Sequence, residues 1–433
     1  MDVFEIDGGQ RLEGSVRCVG AKNSVLPILA ASLLTDEPLR LGNVPDLADV
    51  RTMVKILEHL GTTVDRSEGG KLSARSATEI DPNAPWELVR RMRASFEVLG
   101  PLLGRCGRAR VSFPGGCVFG VRPVDVHLKG FAALGATVSQ EAGYVEVKAP
   151  PGGLQGGEVF LGTPFGSSVG ATRNVMMAAV LARGTTVLHS AACEPEVIDL
   201  AQCLVSMGAQ IEGIGSPTVT IHGVDKLHGA EHEVIPDRIE AGTYLIAGAM
   251  TGGRVRVEGC RPGELSALLD AFWKAGVAIE RGEDWIETQP RDQAQRLRPT
   301  DVTTQPFPGF PTDLQAQWMS AMVMADGVSV ITERIYYDRY MHLAELLRLG
   351  AQIRREGSTA IVQGVPRLSG ASIMASDLRA SAALVLAGLV AEGTTRVFRV
   401  YHIDRGYEAI EERLSALGAN IRRVNQDEIP AEL

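Results

Sequence analysis

The chain lacks the features that would place it in several large classes. Aromatic residues make up 5% of it, and Trp86, Trp273, Trp285 and Trp318 are too scattered to form a stacking platform for single-stranded nucleic acid. Basic residues are outnumbered, with 43 Lys and Arg against 52 Asp and Glu. The resulting net charge of -9 argues against the broad basic face that nucleic-acid or membrane-surface binding requires. The longest apolar runs, near 25–34 and 382–391, stop well short of the roughly 20 residues that cross a bilayer. No basic segment leads into an apolar one at the N-terminus, so no secretory signal is expected. Cys18, Cys106, Cys117, Cys193, Cys203 and Cys260 form no CxxC pair and no Cys/His ligand spacing. Neither a disulfide framework nor structural zinc is expected, and a reducing cytoplasm suits such cysteines. Walker A, dinucleotide-binding GxGxxG and HExxH signatures are missing, and no GxSxG nucleophile elbow is expected.

What the chain does have is length and a repeat. Its 433 residues exceed the ~250 to 300 at which a single core stops growing, so two domains are expected. One phrase returns six times: Leu60-Gly61-Thr62-Thr63-Val64, Leu134-Gly135-Ala136-Thr137-Val138, Met207-Gly208-Ala209-Gln210-Ile211, Ala275-Gly276-Val277-Ala278-Ile279, Leu349-Gly350-Ala351-Gln352-Ile353 and Leu417-Gly418-Ala419-Asn420-Ile421. The glycines stand 74, 73, 68, 74 and 68 residues apart. Each closes an amphipathic run and precedes a β-branched position, the pattern of a helix ended by a C′ glycine and followed by a strand. Interleaved with these are apolar, small-residue helices within 24–36, 94–107, 169–184, 241–253, 313–327 and 378–393. Being apolar nearly all round, they belong inside. The expected fold is therefore α/β (α+β), with six repeats of about 70 residues, three on each side of about residue 235, helices buried and sheets outside.

Chemistry-bearing residues collect in two kinds of place. Pro114-Gly115-Gly116-Cys117-Val118-Phe119-Gly120-Val121-Arg122 sets one thiol among three glycines, with a guanidinium five residues later. Two readings stand: a Gly-rich turn around a small buried hydrophobe, or a moving loop whose thiol is reactive because its surround is electropositive. The apolar helices, for their part, open on polar residues: Lys22-Asn23-Ser24, Arg93, Ser167-Ser168-Val169-Gly170, Thr312-Asp313 and Asp377-Leu378-Arg379. Ser24, Asp313 and Asp377 fit as N-caps. Lys22, Arg93 and Arg379 do not, because a helix N-terminus already carries about half a positive charge. Either each pairs with a carboxylate of a neighbouring repeat, or together they bind an anion such as phosphate or carboxylate. Arg339 in Tyr337-Asp338-Arg339-Tyr340 and Arg405 in the turn 401–407 add to the set, Asp404 and Arg405 standing equally well as a local surface pair. His127 and His402 read as satisfied structural histidines.

Six segments occur in a fixed order: Gly20-Ala21-Lys22-Asn23; Met92-Arg93-Ala94-Ser95; Pro114-Gly115-Gly116-Cys117 running to Arg122-Pro123-Val124-Asp125; Phe310-Pro311-Thr312-Asp313; Asp377-Leu378-Arg379-Ala380; and His402-Ile403-Asp404-Arg405-Gly406. In these, and as far as about Val424, the chain resembles the UDP-N-acetylglucosamine enolpyruvyl (1-carboxyvinyl) transferases. The resemblance implies a two-domain inside-out α/β barrel. Residues 22–235 would form the N-terminal domain with the Cys117 loop; 1–21 and 236–433 would form the C-terminal domain with Asp313, Arg379 and Arg405; the active site would lie in the cleft between. It further implies transfer of the enolpyruvyl group of phosphoenolpyruvate to the 3-hydroxyl of UDP-N-acetylglucosamine, with release of phosphate through a tetrahedral intermediate. That is the first committed step of peptidoglycan precursor synthesis, a cytoplasmic reaction of two small polyanions with no cofactor, metal, nucleic-acid or membrane partner.

By the same resemblance, Lys22, Arg122 and Arg405 hold phosphoenolpyruvate and Arg93, Arg339 and Arg379 complete a basic lining. Cys117 is the acid on a closing loop and Asp313 the base. Asn23 orients the sugar; Arg122, Pro123, Val124, Asp125, Ser168, Val169, Gly170 and Ile335 complete the substrate contacts. A thiolate at Cys117 would also open the epoxide fosfomycin. One departure is plain: family members commonly carry a Lys just before Ser-Val-Gly, and no Lys occurs here between Lys148 and Lys226. Transfer to another nucleotide sugar or to shikimate 3-phosphate, or a catalytically silent paralogue that senses a nucleotide sugar, are the competing readings. The sequence does not fix the oligomeric state.

Overall fold

The computed structural model describes residues 2–90, 92–113, 124–292 and 295–428. Each repeat supplies an apolar helix and an amphipathic one. In chain order these are α1 (Lys22–Ala31) and α2 (Ala48–His59); α3 (Leu99–Cys106) and α4 (Asp125–Ala133); α5 (Val169–Ala179) and α6 (Pro195–Ser206); α7 (Arg238–Thr251) and α8 (Ser266–Ala275); α9 (Gln315–Val323) and α10 (Leu343–Arg348); α11 (Leu378–Val390) and α12 (Ile410–Ala416). All six repeated glycines take a left-handed φ, from 79° at Gly276 to 100° at Gly208. Glycine adopts that backbone without the Cβ penalty, which is why the phrase recurs where each amphipathic helix must stop and turn into a strand.

The strands form six four-stranded sheets among the described residues, one for each repeat. In the first, Leu39–Gly42 runs parallel to Ala230–Glu233 on one side and antiparallel to Lys71–Ser76 on the other, and Thr62–Ser67 pairs with the outer edge of Lys71–Ser76. Burial along Lys71–Ser76 alternates, Leu72, Ala74 and Ser76 facing inward, so one face of the sheet covers apolar residues and the other meets solvent. The odd-numbered helices lie within. In α7 every residue from Arg238 to Thr251 is buried, and in α11 every residue from Arg379 to Leu389.

The described residues fall into two compact units, one made of 20–113 and 124–235, the other of 2–19 and 236–428. Each has its own apolar core. In the first, α3 packs so closely on α5 that a Cβ at Gly100 would stand 2.0 Å from the Asn174 carbonyl oxygen. In the second, α9 packs on α11, and the Ser320 hydroxyl donates to the Ala383 carbonyl at 2.9 Å. The N-terminal strand Asp2–Asp7 lies antiparallel between Thr394–Phe398 and Asn420–Asn425, and Glu13–Arg17 runs parallel to Arg254–Glu258. No helix among the described residues is long and apolar enough to cross a membrane.

Candidate functional site

The unit that holds α1 gathers several expected residues around three helix starts. Lys22 is the first residue of α1, which has no side-chain cap, and its ammonium lies 2.8 Å from Asp49 in the first turn of α2. The cation at this helix start is thus paired with a nearly buried carboxylate. Ser24, expected as a cap, instead lies within α1; its hydroxyl donates to Asp199, which also accepts from the Ile235 amide at 3.3 Å and faces His232 Nε2 at 2.8 Å. Arg93, half-buried, opens a 3-10 turn that leads into α3.

Ser168 caps α5, its hydroxyl accepting from the Ala171 amide at 3.4 Å, so it has a structural role beside any contact with substrate. Contrary to the expectation of no GxSxG, Gly166-Ser167-Ser168-Val169-Gly170 spells one. Ser168 has an ordinary extended backbone, φ -94° and ψ 107°, rather than the strained turn of a nucleophile elbow, and the match carries no catalytic meaning. Val124 and Asp125 lie at the start of α4, Val124 buried and Asp125 exposed. Cys117, Arg122 and Pro123 lie outside the described residues.

His127 belongs to the same neighbourhood. Its Nδ1 is 3.1 Å from Asn174 Nδ2, its ring meets Phe96 edge-on, and a Cβ at Gly170 would stand 3.2 Å from it. Burial, then the charges of Arg93 and Arg173, pull its pKa from 6.5 down to about 3, so it is neutral. The unfolded chain takes up this proton near 6.5 and the folded chain only near 3. Its contribution to stability is therefore whole above pH ~6.5 and is lost as pH falls, by up to ~1.4 kcal/mol per pH unit. His127→Gln, which keeps a hydrogen-bonding partner for Asn174, should flatten that acid slope in denaturant unfolding at stepped pH; an unchanged slope would place the acid sensitivity elsewhere.

The second cluster lies in the other unit. Asp313 sits in the 3-10 turn Thr312–Leu314 ahead of α9 and, contrary to the capping expectation, makes no cap bond. One carboxylate oxygen accepts from Arg339 at 2.6 Å and the other lies 3.8 Å from Arg379. Asp377 does cap, accepting from the Arg379 and Ala380 amides at 2.9 and 3.1 Å. Arg379, 1% exposed, reaches Asp237 at 3.2 Å and the Gly406 carbonyl at 3.4 Å, with Tyr407 beneath its guanidinium. Burial alone would lower its pKa, but Asp237, Tyr407 and Asp313 outweigh that and raise it; at Arg339, Asp313 and Asp377 do the same. Both guanidiniums keep their charge. Arg405, half-buried, lies one residue before Gly406. Asp404 is held by Arg423 at 2.6 and 3.1 Å, a partner the sequence did not suggest. His402, expected to be satisfied, has a buried Nδ1 with no hydrogen-bond partner among the described residues.

Sequence reading missed Glu333, a lone acidic residue just past the end of the strand Val328–Thr332. Fully buried, it accepts from Thr304 at 2.7 Å, Thr312 at 2.8 Å and the Ile335 and Tyr336 amides at 2.7 and 3.0 Å. It thereby fixes Ile335 and, through Thr312, the turn that presents Asp313. Chemically, the cluster is a partly exposed carboxylate oriented by two buried guanidiniums, a geometry suited to taking a proton from a hydroxyl. Burial pushes up the pKa of the thiols of Cys18, Cys106, Cys193, Cys203 and Cys260, so these five are poor nucleophiles. Among the described residues no group of His, Cys, Asp and Glu is placed to hold a metal ion.

A family model described as EPSP synthase (3-phosphoshikimate 1-carboxyvinyltransferase) matches residues 6–414. A UDP-N-acetylglucosamine 1-carboxyvinyltransferase of Caulobacter vibrioides is 54% identical over 430 residues, covering 99% of each chain. One from Caulobacter sp. strain K31 is also 54% identical, covering 99% of this chain and 98% of its own. Among solved structures, the enolpyruvyl transferase NikO of Streptomyces tendae matches with a TM-score of 0.87 at 28% identity, over 98% of both chains. An EPSP synthase of Acinetobacter baumannii matches with 0.73 at 17% identity, over 98% of this chain and all of its own, a likeness of fold.

Proposed function

The chain belongs to the UDP-N-acetylglucosamine 1-carboxyvinyltransferase family, and from that premise we propose that it moves the enolpyruvyl group of phosphoenolpyruvate to the 3-hydroxyl of UDP-N-acetylglucosamine, releasing phosphate, in cytoplasmic synthesis of peptidoglycan precursors. The observation that carries the reading is 54% identity over 99% of the chain. Shikimate 3-phosphate as acceptor is disfavoured, since the identity to the Acinetobacter EPSP synthases falls to 17% and 16%. A silent paralogue is disfavoured because Lys22, Cys117, Asp313 and Arg405 are all present.

In this reading Asp313 withdraws the proton of the sugar 3-hydroxyl as its oxygen attacks C2 of phosphoenolpyruvate, while Cys117 delivers a proton to the vinyl CH2. The charge at C2 passes through an oxocarbenium-like state to a phosphate-bearing tetrahedral adduct. Loss of a proton from the new methyl group and departure of phosphate restore the vinyl group. Lys22, Arg122 and Arg405 offset the charges of phosphoenolpyruvate, with Arg93, Arg339 and Arg379 completing the cationic lining. Asn23, Pro123, Val124, Asp125, Ser168, Val169, Gly170 and Ile335 would address the nucleotide sugar. The orientation of Asp313 by Arg339 at 2.6 Å supports its role as base.

The test is phosphate release on mixing phosphoenolpyruvate with a panel of acceptors: UDP-N-acetylglucosamine, other uridine nucleotide sugars and shikimate 3-phosphate. Release with the first alone is expected. Preference for another uridine sugar would trace to the Lys missing before Ser168, and no release with any acceptor would end the enzymatic reading.

A further inference from the structure

We infer that Arg173 and Glu97 form a buried brace that fixes the Lys22–Asn23 turn, making Arg173 a positioning residue for the nucleotide sugar. Pro27 interrupts the hydrogen-bond ladder of α1. A helix carbonyl at position i normally accepts from the amide at i+4, and for Asn23 that position is Pro27, inside α1, which has no N–H to give. Proline also pushes the preceding turn's carbonyl outward. The Asn23 carbonyl thus has no i+4 amide to accept from within α1. Arg173 donates to it instead, from Nη1 at 2.6 Å across 150 residues of sequence.

The other arm of the same guanidinium, Nη2, donates to Glu97 Oε1. Arg173 lies in the first half of α5, one turn past Ser168 to Gly170, and Glu97 lies in the 3-10 turn that Arg93 opens. One planar fork therefore ties together three helix starts of this unit. Lys22 and Arg93 are the further cations whose charge reaches the Glu97 carboxylate. Such an arrangement is poorly explained as a stability device. Both side chains are nearly buried, 9% and 4% exposed, and Arg173 Nε and Glu97 Oε2 have no hydrogen-bond partner among the described residues. A buried pair with unsatisfied atoms gains little over an apolar pair of similar volume, whereas it does fix a unique registry. Arg rather than Lys is needed, because only the fork reaches both acceptors at once.

The ligand named here rests on the function proposed above; the brace itself does not. The test is the double variant Glu97→Leu/Arg173→Met in the full chain, which removes both charges and strands neither. Its thermal midpoint should stay near wild type. In the ligand-free protein, hydrogen exchange of the amides in residues 24–29 should quicken about tenfold or more, the factor that loss of one charge-assisted hydrogen bond corresponds to. The KM for UDP-N-acetylglucosamine should rise by a similar ~10-fold while kcat moves less than about threefold, the split expected for lost binding rather than lost chemistry. Arg173→Lys, which keeps the charge beside Glu97 but forfeits the fork, should show both effects at smaller size and serves if the double variant does not fold. Wild-type exchange in residues 24–29 together with a KM within about twofold of wild type would overturn the brace. If the wild-type protein makes no product from UDP-N-acetylglucosamine, the functional reading fails and the exchange result alone decides the brace.

Discussion

Asp313→Asn should release phosphate some 10²- to 10⁴-fold more slowly than wild type while remaining folded, the range expected when a positioned general base is removed. Asn keeps the volume and one carbonyl oxygen for Arg339, which now reaches Asp313 at 2.6 Å. The nearby Arg379 would still hold Asp237 at 3.2 Å, so the cluster retains a carboxylate for its second guanidinium. The thermal midpoint should therefore shift by no more than a few degrees, and KM for both substrates should change far less than kcat. Single-turnover phosphate release and a thermal melt on the same preparation make the comparison. A rate within about tenfold of wild type would transfer the base role to another group.

Arg379→Met should cost most in stability. The wild-type guanidinium is 1% exposed and lies among Asp237, Asp313, the Gly406 carbonyl and the Tyr407 ring. Met fills much the same space but removes the guanidinium that pairs with buried Asp237, while Asp313 keeps Arg339, and breaking a buried pair from one side costs about 3–5 kcal/mol. For a unit of this size that corresponds to a fall in midpoint of roughly 10 °C. Asp237→Asn introduced with Arg379→Met should recover part of the loss, since it removes the carboxylate charge that Arg379 had balanced, although the cap that Asp237 gives α7 is weakened. Midpoints that do not differ between wild type and Arg379→Met would show that solvent or Arg339 already compensates the carboxylates.

Much of the fold was legible because its repeat is punctuated by a residue with a physical reason to be there. Six glycines at a steady interval are six left-handed helix ends, and the apolar helices between them carry little polar surface to mislead the reading. The caps were less legible. Ser24, Asp313 and Asp377 are alike in sequence, yet Asp377 alone among them caps, because Ser24 is drawn to Asp199 and Asp313 to Arg339. Those partners lie 175 and 26 residues away, beyond the reach of local pattern. Of the two readings of these cations, pairing with a carboxylate holds for Lys22 and Arg379. Lys22 and Arg379 each have a buried carboxylate, which lowers the cost of holding a cation at a helix start. Glu333 and Arg173 were illegible for a different reason: each acts on main-chain groups, and no side-chain motif marks which amide or carbonyl needs a partner.

The placement of Asp2–Asp7 between Thr394–Phe398 and Asn420–Asn425 sets an order of events during biosynthesis. Asp2–Asp7 leaves the ribosome roughly 400 residues ahead of either partner strand, a delay on the order of half a minute or more at ordinary elongation rates. The half that is continuous in sequence can complete its sheets while translation is still under way. The interrupted half cannot, and Asp2–Asp7 must be kept from pairing with other nascent chains until Thr394–Phe398 and Asn420–Asn425 emerge.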